Sequence, residues 1–422
     1  MSTNTDNHPG GLHWTHARER LLLLTLAAIQ FTTILDFLII LPLGPQYMEV
    51  FHITSGQFGM IVGAYGISAG LAGIAAGFIM DRFDRKQALL WLYFGFTLGT
   101  LFCAMAPTYH LLVIARYFAG VFGGVSGAVI LAIVGDVIPM ERRGAAMGLV
   151  MSAFSVVTIV GVPLGMDLAD RYNWHVPFYA IAAMSAVILL VAMVITPPLR
   201  GHMNHAEDEH PVLRTWKVMK HPDHIKAFIF MAVTTCAGFC IFSYIPVYMV
   251  SNAGLKKEQL KWLYLFGGIC TVFSMSWVGK WSDRSGKLKV FTITSLTTAL
   301  PIALVTNLPH VPLVAAMGAM TLLMICMSSR MVPAMAMMTG TVEARYRGGF
   351  MSINSAVQQL SMGFTAWFSG KILGKAANGE MTNFYINGMI SIACAYICIY
   401  LARFLKSAPE GKEAVAETVM EF

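Results

Sequence analysis

Charge is what this chain has least of. Only 12% of its 422 residues are Asp, Glu, Lys or Arg, against roughly 25% in an ordinary soluble chain. With 56% hydrophobic residues and a mean hydropathy of +0.64, that scarcity leaves no room for a large soluble domain. Cysteine is also sparse. The seven cysteines fall mostly inside apolar runs, with Cys236/Cys240 and Cys394/Cys398 one helical turn apart, so they read as packing residues and exclude a disulfide framework or CxxC metal spacing. No G-x-x-x-x-G-K-[ST] occurs and the charged loops are short, which excludes a nucleotide-driven machine. Neither a His/Asp/Ser nor a metal-ligand constellation appears at membrane depth, which speaks against an enzyme. A receptor lacks its sensor and effector domains. The formal charge of +7 comes from Lys and Arg scattered through loops, without the basic stripe that nucleic acid requires. No cofactor or metal is implied.

What the chain does have is long apolar runs. Twelve are long enough to cross a hydrocarbon core of about 30 Å as helices, at about 20–43, 55–80, 87–106, 110–136, 144–168, 174–196, 225–250, 260–279, 290–306, 311–337, 349–373 and 382–404. If the N-terminus is cytoplasmic, 21 of the 29 Lys and Arg residues lie in inside segments and 6 in outside ones. The positive-inside rule then places both termini in the cytoplasm. Residues 1–19 form a polar tail with no apolar core of their own, and 405–422 form the second tail. The most polar stretch, 197–224, separates a block at 20–196 from one at 225–404. It contains HMNHAEDEHP and the basic RTWKVMK; a short surface helix is expected over 212–220, and the His and acidic residues read as a solvated spacer rather than a metal tract.

The two blocks repeat one another. GFIMDRFDRK at Gly77–Lys86 has a near copy, GKWSDRSGKLK, at Gly279–Lys289, which places Asp81 and Asp283 202 residues apart. RRGAAMG at Arg142–Gly148 and YRGGFMS at Tyr346–Ser352 share R-G-x-x-M at an offset of 204. A duplication of six helices plus six is the architecture of one class of secondary transporter. The sequence resembles the major facilitator superfamily over nearly its whole length. The carriers of that resemblance are the two loops just quoted, LLVIARYFAGVFGG at Leu111–Gly124, VTIVGVPLGMDLA at Val157–Ala169, and LDFLIILPLGP at Leu35–Pro45, which looks like the first helix of the drug and sugar-efflux branch. Two positions depart from the family pattern. Ala119 stands where the fourth-helix signature has glutamine, and Gly161-Val-Pro163-Leu-Gly165 replaces G-P-x-x-G-G.

The resemblance implies an all-α membrane fold of twelve helices in two six-helix pseudo-repeats. It implies a cytoplasmic gate built from Gly77, Asp81, Arg82, Arg85, Asp136, Asp283 and Arg284. In that gate Asp81 faces the positive end of the eleventh helix and Arg85 pairs with Asp136. Asp84 stands where the family has glycine, and its second-half counterpart is Gly286. The plain alternative for these loops is topological anchoring. Gly161, Pro163 and Gly165 are expected to allow close packing and a local bend; the family associates this element with sealing exporters.

Charges at membrane depth cost roughly 2.5–3.5 kcal/mol each, and only Asp36, Arg116 and Arg330 sit well inside spans. A carboxylate in that setting can exchange a proton near neutral pH, so Asp36 is a candidate coupling site; the alternative is a permanent ion pair with Arg116 or Arg330. In the family the arginine matching Arg116 is implicated in proton transfer. Arg330 in MSSRMVPAM could attract an anionic group or simply neutralise Asp36. Gln30, Tyr65, Tyr244, Tyr248, Asn354, Gln358 and Gln359 are candidate cavity lining, with core hydrogen bonding as the alternative for each. The run Met324, Met327, Met331, Met335, Met338 reads as adaptable packing or a greasy wall. The expected protein is a monomeric secondary transporter of the inner membrane, proton-coupled, exporting a small amphipathic compound; uptake is the alternative direction.

Overall fold

The computed structural model describes residues 16–80, 83–199, 211–343 and 346–405. Its helices are α1 (His16–Leu38), α2 (Gly44–Val50), α3 (Ser55–Ile79), α4 (Arg85–Met105), α5 (Tyr109–Val137), α6 (Met140–Met151), α7 (Ala153–Val156), α8 (Val162–Arg171) and α9 (His175–Ile195) in the first half. A linker helix α10 (Pro211–Lys220) leads to α11 (Pro222–Phe242), α12 (Ile245–Ser251), α13 (Leu260–Ser285), α14 (Lys287–Thr297), α15 (Ala299–Thr306), α16 (Leu313–Gly340), α17 (Arg347–Ile372) and α18 (Phe384–Ala402). Helices are what a bilayer demands, since every backbone polar group there must be bonded internally. Among the described residues eleven stretches are long and apolar enough to cross a membrane. The twelfth span, α17, is 26 residues long but carries Asn354, Gln358 and Gln359, which lower its hydropathy.

Short polar turns start the helices. Thr54 and Gln57 form a capping box at α3, and Thr108 accepts from Leu111 N at α5. Asp84 caps α4 through Lys86 N at 2.8 Å and also accepts from Leu199 N at 3.2 Å. The acid that departs from the family's glycine is therefore bound into the loop. It sits at φ −55°, which any residue adopts, whereas its counterpart Gly286 sits at φ 90°, where a side chain would be strained.

The duplication shows most clearly where the first and seventh spans break. Pro42 has no N–H for the carbonyl of Leu38, so α1 ends there, and the chain re-forms as α2 on Gly44-Pro45. In the second half α11 ends at Phe242 and α12 re-forms on Ile245-Pro246. Pro45-x-Tyr47-Met48 and Pro246-x-Tyr248-Met249 are a third sequence echo, at an offset of 201.

The halves meet along α3 with α17 and along α13 with the fifth span, α6 to α8. At the end where α3 and α13 begin, they are closed against each other. A Cβ on Gly63 would lie 2.7 Å from the Gly363 carbonyl, and one on Gly66 2.8 Å from that of Gln359. Tyr244 Oη donates to Ala366 O at 2.7 Å and lies 3.2 Å from Ser55 O. Lys257 pairs with Glu49, and Lys261 Nζ with Asp167 Oδ1 at 2.6 Å. At the basic end, where α3 and α13 finish, the buried apolar residues form separate clusters, one from each half, whereas a single cluster spans both halves at the other end. The two bundles are sealed at one end and splayed at the other. Helix α10 sits at the splayed end, between α3, α11 and α17, and Thr215 Oγ1 donates to Gly77 O at 3.1 Å.

Candidate functional site

The break after α1 leaves carbonyls without helical partners in mid-span, and that is where Asp36 sits, fully buried. Arg116 Nη1 donates to Asp36 Oδ2 at 2.7 Å and to the Asp36 carbonyl at 3.3 Å. Thr100 Oγ1 of α4 donates to Asp36 Oδ1 at 3.0 Å. The Arg116 guanidinium carbon stands 4.5 Å from the Tyr65 ring centroid, and that ring contacts Phe37 at 5.5 Å. Three spans thus meet at one carboxylate. Arg116 is fixed by the glycines of its own stretch: a Cβ on Gly120 or Gly123 would collide with Tyr65 and, at Gly120, with Ser68 as well, so α5 lies directly against α3.

The pair is a buried ion pair in which Thr100 adds a second donor to the carboxylate, while Arg116 Nε and Nη2 have no hydrogen-bond partner. Breaking such a pair is costly because it strands a buried charge.

The fifth span backs this site. A π turn at Val157–Gly161 interrupts the fifth span, with Pro163 in the first turn of α8 just beyond it. A Cβ on Gly161 would stand 3.1 Å from Leu35, and one on Gly165 2.6 Å from Ile39, so both glycines pack on the segment flanking Asp36.

Arg330 is not at this site. It is 2% exposed in α16, its Nη2 donates to Thr234 O at 3.2 Å, and its Nε and Nη1 have no partner. Of the two arginines left open as partners of Asp36, the structure brings Arg116 alone. Gln30 lies in α1 facing Gly127, with its Oε1 unpartnered. Asn354 is buried with Oδ1 unpartnered, and Gln358 is half-buried one turn on. Tyr244 and Tyr248 make structural bonds, the first to Ala366 O and across the sealed end to Ser55 O, the second through its hydroxyl to Leu308 O at 3.1 Å; neither reaches Asp36.

In the gate, Arg85 Nε bonds Asp136 Oδ2 at 3.3 Å. Gly77 meets Thr215 of the linker helix, and Asp283 and Arg284 are exposed at the end of α13. Asp81 and Arg82 lie outside the described residues, as does the His and acidic tract of 202–210. Sequence reasoning missed Thr100. Its one signal is a hydroxyl in the apolar run TLGTLFCAM of α4, shared there with Thr97.

The family model described as Major Facilitator Superfamily matches residues 26–284 and again 249–420. The chain belongs to the major facilitator superfamily. Among curated relatives it is 26% identical over 417 residues to the uncharacterized MFS-type transporter YwfA of Bacillus subtilis strain 168, covering 94% of each chain. It is 23% identical over 292 residues to Multidrug resistance protein 2 of the same organism, covering 67% of this chain and 72% of that one. Among solved structures, a bacterial homolog of the human lysosomal transporter Spinster, inward-facing and occupied, superposes with a TM-score of 0.70 at 14% identity, covering 93% of this chain and 97% of that one. As a superfamily member the chain is a multi-pass membrane transporter of small molecules rather than an enzyme.

Proposed function

We propose that this superfamily member is a proton-coupled exporter of a small amphipathic compound, working by alternating access in the inner membrane with both termini cytoplasmic. The observation that carries the reading is the fully buried Asp36, held by Arg116 and Thr100 where the first span breaks. A carboxylate with a dedicated cation is a site where proton uptake releases a buried arginine. That release offers a structural change for a proton gradient to drive. Export is supported by the glycines of the fifth span packing beside that site and by the names of relatives such as Multidrug resistance protein 2. Uptake is the second reading, favoured by the departures at Ala119 and in Gly161–Gly165.

The test is substrate-dependent proton flux in liposomes holding the purified chain, after a compound panel has been screened by accumulation and resistance in cells with and without it. Asp36→Asn is expected to reach the membrane and to lose pH-gradient-driven transport. Full coupled transport by that variant would refute the assignment.

A further inference from the structure

We propose that the transported compound carries an anionic group, a carboxylate or a similar oxyanion, and that Arg330 is its receptor. The inference deepens the transporter reading and rests on it. Arginine stays charged in any protein setting, and a buried guanidinium needs compensation. Arg330 has one backbone carbonyl, that of Thr234, and among the described residues no carboxylate; Arg116, which also leaves two nitrogens unbonded, has that of Asp36.

Among the described residues the chain supplies Arg330 no counter-charge. An offset of 201 to 202, taken from the P-x-Y-M and loop repeats, carries Asp36 onto Ala237 or Gly238. A Cβ on Gly238 would lie 3.6 Å from Arg330 Nη2, so the guanidinium lies beside the position from which a carboxylate is missing. The same offset carries Arg116 onto Met317 or Gly318, so Arg330 is a buried cation of the second half alone, and it stands there without an acid. Among the described residues Asp36 is the one acid at mid-span, and it is already held by Arg116 and Thr100. The remaining described carboxylates lie at helix ends or in loops.

Pro333 lies inside α16 one turn beyond Ser329, whose carbonyl it cannot bond. That weakens the helix next to Arg330 and permits the local movement that would admit a ligand to the buried guanidinium.

The experiment uses the full chain in detergent with two matched sets of probes: benzoate, benzamide and benzylamine; indole-3-acetate, indole-3-acetamide and tryptamine. Carboxylates are expected to raise the melting temperature, while the amides and amines do not. Arg330→Gln should weaken carboxylate binding roughly a hundredfold, the loss typical of removing one partner from a buried charge pair, and Arg330→Lys should keep part of it. Gly238→Asp guards against a folding failure in those variants. It supplies the absent carboxylate, so it should melt above the wild type and lose the carboxylate response. The assignment is overturned if amides or amines stabilise as well as carboxylates, if no carboxylate stabilises, if the response survives Arg330→Gln, or if Gly238→Asp melts lower than the wild type. Binding is read at equilibrium without a gradient, so this outcome is independent of the flux measurement that tests proton coupling.

Discussion

The Tyr244 hydroxyl fills the space that a side chain on Gly370 would need, and it fills the same space for Gly59 on the facing half. It donates to Ala366 O within its own half and lies 3.2 Å from Ser55 O across the interface. One hydroxyl thus bonds the sealed end where two glycines let the halves touch. Tyr244→Phe leaves buried carbonyls short of a donor, a loss of about 1–3 kcal/mol, and shifts the population toward opening at that end. Gly370→Ala, which must displace the ring, is expected to shift it further. Spin-label distances between the ends of α2 and α12 should lengthen in both; unchanged distances would show that the seal does not depend on this contact.

The Asp36 and Arg116 pair should behave as a unit. Arg116→Ala strands a buried carboxylate and is expected to cost about 3–5 kcal/mol, whereas removing both charges with Asp36→Asn and Arg116→Met should cost much less. Thr100→Val removes a hydrogen bond to a charged group and is expected to cost about 1.5–3 kcal/mol. Melting temperatures in detergent, combined as a double-mutant cycle, measure the coupling. Additive losses would mean that the two residues do not share one site.

Hydropathy made the twelve spans legible because a bilayer imposes a single property over each run of residues. The repeated loops made the duplication legible, and Asp36, Arg116 and Arg330 stood out because charge is so rare at that depth. Which arginine meets Asp36 was not legible, since it depends on how spans 1, 4 and 10 are arranged about one another. Thr100 was hidden for a different reason. Threonines in helices mostly bond their own backbone, as Thr33 does to Ile29 O and Thr97 to Tyr93 O, so nothing distinguishes the one that turns to a neighbour. The roles of Tyr244 and Tyr248 stayed open in the sequence because a polar aromatic in an apolar span serves a cavity and a helix break equally well; both lie at the break after α11.

Acid and salt should loosen the sealed end. Lys257 bonds Glu49 and holds its carboxyl below the ordinary 4.5. A depressed value means the pair stabilises closure at neutral pH and loses that contribution as pH falls below 4.5. The Glu49 side chain is 68% exposed, so the effect is small and screened by salt. Distances across this end should lengthen slightly at pH 4 or in 1 M salt. Glu49→Gln should remove the pH response while the Lys261 and Asp167 pair keeps part of the closure; an unaltered pH response would place the titrating group elsewhere.

The Arg85 and Asp136 pair joins α4 to the end of α5 within one half. It can bias the equilibrium between states only if that half must present a fixed shape to its partner when the basic end closes. Arg85→Ala is then expected to favour the splayed state, with longer distances between the basic ends of α3 and α17. Plain anchoring predicts that those distances stay the same and that only membrane insertion suffers.

Pro163 and the π turn before it place Thr158 against the other half. The turn closes with Val162 N bonding Val157 O, and this extra residue per turn makes room for a ring that would otherwise strike the preceding carbonyls. The widened backbone presents Thr158 to Gly268 of α13, where a Cβ would stand 3.3 Å away. Pro163→Ala removes the cause of the widening, and alanine is roughly 3 kcal/mol better than proline inside a helix, so the fifth span should tighten to a regular helix. The protein is expected to melt no lower than the wild type. Residues before the bulge must rotate, which carries Thr158 off Gly268 and slackens the contact beside Leu35 and Asp36. Transport should fall while stability does not, and a disulfide between Thr158→Cys and Gly268→Cys should form less readily in the Pro163→Ala background. Equal cross-linking and equal transport would show that the π turn has no part in the cycle.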